Sequence, residues 1–79
     1  MMQASQAANY RIVVEGVLDR MWLQCLGGFE ASEQRQPGQP VVTQLEGCPV
    51  DQAALQGVLD TLFMLGMRLI TVERLMSAP

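Results

Sequence analysis

The chain reads as an α+β domain: a four-stranded, mainly antiparallel sheet with one long helix on one face. Three observations predict this. Residues Tyr10 to Asp19 (YRIVVEGVLD) alternate apolar and polar side chains with a period of two. Gln36-Pro37-Gly38-Gln39 places a tight turn between two short strand-like segments. From Gln52 to about Leu65 the apolar residues follow a helical period and a glycine closes the run. The 79 residues leave room for one domain. It is expected over residues 10–75, with flexible tails at 1–9 and 76–79.

In the first strand Tyr10, Ile12, Val14, Gly16 and Leu18 share the apolar parity, and Gly16 there permits a bulge or a close approach. Asp19 is placed to cap a short helix from Arg20 to Leu26, whose Met21, Trp22, Cys25 and Leu26 form one apolar side. Trp22 reads as a core anchor, and Gly27 as the helix stop. A second, mostly polar strand follows at Phe29 to Gln34. Pro37 presets the first central position of the turn and Gly38 accepts the positive φ of a type II geometry. Val41 to Gly47 is the third strand, so the pair forms a hairpin. Asp51 is the N-cap candidate for the long helix. Ala54, Leu55, Val58, Leu59, Leu62 and Leu65 make its stripe, and Gly66 ends it. The last strand, Arg68 to Arg74, is β-branched at Ile70, Thr71 and Val72, with no clear buried parity.

Two topologies fit the order β, short helix, β, β, long helix, β. A ferredoxin-like fold needs a crossover of a dozen or more residues between its first two strands, and only Arg20 to Gly28 are left for it. A three-strand meander fits that length better and is the expected arrangement.

Composition excludes several function classes. Eight acidic residues face five basic ones, all arginine, and the chain has no lysine and no histidine. That removes the commonest general base, the commonest metal ligand and any Schiff-base amine. A net charge of −3 with dispersed arginines argues against nucleic acid. The most apolar window, Ala53 to Val72, is broken by Gln56, Asp60 and Arg68 and does not read as a membrane span. The N-terminus lacks a basic start and an apolar core, so no signal peptide is read and a cytoplasmic location is expected. Cys25 and Cys48 form no CxxC pair and read as buried small hydrophobes. Glu15, Asp19 and Glu46 could pair as catalytic carboxylates, but each lies on or beside a polar strand face, where solvation explains it. No catalytic, metal-binding or cofactor-binding residues are assigned.

Residues Val14-Glu15-Gly16-Val17-Leu18-Asp19, Trp22, the block DQAAL-x-G-x-L from Asp51 to Leu59, and Leu69-Ile70-Thr71-Val72 resemble a family of short, uncharacterised bacterial proteins. The resemblance covers nearly all of residues 10–75 and implies no established activity. Phe63 and Met64 depart from its pattern, standing where similar proteins carry polar or basic residues. A weaker likeness, in Gly66-x-x-x-Ile70, is to ACT-like regulatory domains, which bind small metabolites at dimer interfaces.

The functional expectation rests on what the core does not use. Phe63 and Met64 fall about 80° and 180° around the helix from Leu55, and Met67 follows just past its end. Exposed apolar groups of this kind mark contacts. A domain this small buries only ~60% of its unfolded surface. The expected role is therefore a non-enzymatic interaction module, a homodimer or other homo-oligomer or a binder of another protein, with Phe63, Met64 and Met67 at the interface. A small-metabolite domain is the alternative.

Overall fold

A computed structural model describes residues 8–24, 26 and 28–75. The tail expectations at 1–7 and 76–79, and the roles given to Cys25 and Gly27, lie outside the described residues. The order is β1 (Asn9–Glu15), α1 (Arg20–Leu23), β2 (Phe29–Gln34), β3 (Val42–Gly47), α2 (Gln52–Met64) and β4 (Arg68–Leu75). The strands form one antiparallel sheet in the order β2-β3-β1-β4, and α2 packs on one face of it.

The expected meander does not form, because β1 pairs with β3 and β4 rather than with β2. The reason lies at the end of β1. The strand stops at Glu15, where Gly16 turns the chain at φ 119°. The connection to β2 is therefore residues 16–28, long enough to cross β3. Strand order and directions match those of a βαββαβ chain, with the single turn α1 standing where a ferredoxin-like fold carries a full helix. At its other end β1 starts at Asn9, one residue earlier than expected, and Ala8 before it is buried.

The crossover helix is also shorter than its sequence suggests. Asp19 does cap it, its Oδ1 accepting from the Met21 N–H at 3.0 Å. But α1 ends at Leu23, and Met21 and Trp22 face solvent. Trp22 is not a core anchor; Leu18 and Leu26, on either side of α1, fill that place and Leu23 packs against them. Four residues give too little helix for an apolar stripe to form.

Alternation along β1 and β3 puts Ile12, Val14 and Leu45 in the centre of the core, fully buried, with Phe29 from β2. Leu55, Val58 and Leu62 of α2 cover them, one above the other at helical spacing. Thr43 is the buried polar side chain here; its hydroxyl donates to the Gly16 carbonyl at 2.7 Å. The Gly16 N–H in turn donates to Val41 O at 2.8 Å. These two bonds fix the point where β1 leaves the sheet.

Both ends of α2 are closed. Asp51 Oδ1 accepts from the Ala54 N–H at 2.8 Å. At the other end Gly66, at φ 77°, donates its N–H to Phe63 O, and the Met67 N–H donates to Leu62 O. That pair of bonds is a Schellman closure, which brings an apolar residue just past the helix back onto its last turn. Met67 is accordingly half-buried and packs against the core.

Candidate functional site

Antiparallel partners share a sheet face, so the register of β4 on β1 shows which way each β4 residue points. Val72 lies beside Ile12 and Leu69 beside Val14, both on the face that α2 covers. Ile12 and Val14 are fully buried, yet Val72 is 40% and Leu69 51% exposed. The helix covers the middle strands and stops short of the β4 edge. Between the two elements runs a cleft of about 490 Å³ lined by Leu59, Asp60, Leu62, Phe63, Met67, Arg68 and Leu69. Its walls are apolar apart from Asp60 and the start of β4 at Arg68, whose guanidinium is turned toward Glu15.

The expected interface residues separate here. Phe63, 81% exposed, stands on the flank of α2 that faces β4 and lines the cleft. Met67 forms part of its floor. Met64 is 82% exposed but points away from the sheet, half a turn from the core stripe, and takes no part in the cleft. Sequence reasoning missed Leu69, Ile70 and Val72. A β-bulge explains the omission: Val13 pairs with Thr71 and Val14 with Leu69, leaving Ile70 as an extra residue and reversing the parity midway along the strand.

The opposite sheet face has a different character. A chain of polar contacts crosses all four strands. Gln34 donates to Gln44 (3.3 Å), Gln44 to Glu46 (3.0 Å), and Arg11 to both Glu46 (2.9 Å) and Glu73 (3.3 Å). The Arg11 guanidinium is held charged beyond its ordinary range, first by the hydrogen bond to Glu46 and then by that carboxylate's charge, with Glu73 adding less. Arg68 sits 3.9 Å from Glu15 at the end of the same face. Glu15 and Glu46, weighed above as a carboxylate pair, are each matched to an arginine, and Asp19 is engaged as a helix cap.

The model of one protein family matches residues 9–73, from the first residue of β1 through all but the last two of β4. The chain belongs to the family described as Domain of unknown function (DUF8691). No curated protein and no solved structure matches it. The DUF8691 match thus takes in both the cleft and the polar face. Among the described residues, no helix of this DUF8691 domain is long and apolar enough to cross a membrane. No three His, Cys, Asp or Glu side chains gather as a metal site among them either. Cys48 is exposed rather than buried, correcting the expectation for it.

Proposed function

We propose that this DUF8691 domain is a non-enzymatic interaction module of the cytoplasm that works as a homodimer, through the surface where the end of α2 meets β4. One observation carries the reading: the helix-side face of the sheet continues past the helix, leaving Leu69 and Val72 open beside fully buried neighbours, with Phe63 exposed above them. Contiguous exposed apolar surface of this kind marks contact sites. The small size of the domain, which makes it marginal alone, supports the same reading. An exposed free thiol at Cys48 is compatible with a reducing compartment.

Sedimentation equilibrium at tens of micromolar tests it. The wild type should be dimeric, and Phe63→Glu should weaken association at least tenfold, while circular dichroism of the variant stays native. A monomeric wild type across that range overturns the homodimer.

The cleft itself favours a second reading, an ACT-like domain for a small, largely apolar ligand. At about 490 Å³ it falls within the ~300–1,000 Å³ of small-molecule sites. A ligand present at a hundredfold its Kd adds about 2.7 kcal/mol to stability. A metabolite screen by thermal shift with no hit would count against this reading and leave the dimer untouched.

A further inference from the structure

We infer that the second copy joins along the free edge of β4, antiparallel and about a two-fold axis between Ile70 and Thr71, giving one continuous eight-stranded sheet. This rests on the homodimer reading above and specifies its geometry.

Among the described residues the sheet has two unpaired edges, β2 and β4. The β2 edge (FEASEQ) exposes no large apolar side chain, and its two charges, Glu30 and Glu33, are both acidic, so a second copy there brings only like charge, whereas β4 carries both signs. β4 is the longer strand, with eight residues, and exposes Leu69, Ile70 and Val72. Its other edge bonds to β1, so a row of backbone donors and acceptors faces outward along it.

The bulge selects the register. Before it, Arg68 lies on the polar face and Leu69 on the helix side; after it, Thr71 and Glu73 lie on the polar face and Val72 on the helix side. In a two-fold pairing each residue meets a partner copy's residue at a constant sum of numbers. Setting Thr71 opposite Thr71 brings Arg68 against Arg74 and puts Leu69 against Glu73, which point to different faces. Centring on Val72 matches faces only beyond the bulge. Placing the axis between Ile70 and Thr71 matches them on both sides of it. Arg68 then meets Glu73 of the other copy twice over, and Leu69 meets Val72 twice over on the helix side. A bulged edge discourages arbitrary pairing, and here it leaves one self-complementary alignment.

Because paired residues keep their faces, both α2 helices lie on the same side of the joined sheet. The two clefts merge into one trough over the paired β4 strands, floored by Leu69 and Val72 and flanked by Phe63 from each copy. Phe63, Leu69, Ile70 and Val72 offer on the order of 450 Å² per copy, before counting the strand backbone, against ~800 Å² per partner in a standard interface. Met64 is not covered by this arrangement.

A charge-swap cycle tests it, with Kd measured by sedimentation equilibrium for the full chain. Arg68→Glu and Glu73→Arg each put like charges across the junction at two symmetric places and should each raise Kd at least tenfold. The double variant should return to within about threefold of wild type. Within one copy Arg68 lies near Glu15 and Glu73 bonds Arg11, so the double swap leaves two unfavourable contacts inside each monomer. Restored association despite them is a result that a purely intramolecular role cannot give. A dimer weakened by Phe63→Glu but indifferent to both single swaps, or one not restored by the double swap, overturns the edge pairing and leaves the homodimer standing. A monomeric wild type overturns both.

Discussion

Thr43 and Gly47 show how single residues set the geometry around the core. The Thr43 hydroxyl is buried and satisfies the carbonyl of Gly16, the residue that ends β1. Replacing Thr43 with valine keeps the shape and removes the donor, leaving that carbonyl unpaired at a cost of about 1–3 kcal/mol; urea unfolding should report it. Gly47 is more constrained. It pairs with Tyr10 on one side and Phe29 on the other, and a Cβ there would collide with the Gly28 carbonyl oxygen. Gly47→Ala should therefore destabilise by at least the ~1–3 kcal/mol of an overpacked core, since backbone rather than a side chain must move. Gly57, with open space around it and a helical conformation, is the control: Gly57→Ala should stabilise by up to ~1 kcal/mol.

At the level of elements, legibility in the sequence followed local chemistry. The hairpin was readable because Pro37 and Gly38 specify a turn by their own backbone preferences, and α2 because an Asp cap, an apolar stripe and a terminal glycine all agree. Gly66 holds φ 77° at the Schellman closure. Gly66→Ala should cost about 1–2 kcal/mol from the left-handed penalty alone, measurable as a lower melting temperature. β4 resisted reading for two physical reasons. Its bulge reverses the parity between Leu69 and Thr71, and its helix-side residues lie beyond the edge of α2, so neither face carries a clean alternation. The apolar look of Met21 and Trp22 misled for a third reason: one helical turn has no buried side to offer them. Met67 resembled surplus apolar surface because the closure that folds it back onto Leu62 depends on backbone hydrogen bonds, not on periodicity.

For the molecule as a whole, strand order was the part least legible in the sequence, because it turned on where β1 ends. Stopping the strand at Glu15 lengthens the crossover and moves β3 to the side of β1. That arrangement leaves β4 at an edge with its helix-side face only partly covered, which is why we propose that a second copy completes the layer. Dimerisation couples folding to concentration, so the melting temperature should rise with protein concentration. The most direct measurement is sedimentation equilibrium of wild type beside Phe63→Glu at tens of micromolar. The wild type should be a dimer that the substitution drives toward monomer without loss of fold; a wild-type monomer throughout that range would overturn the proposed dimer.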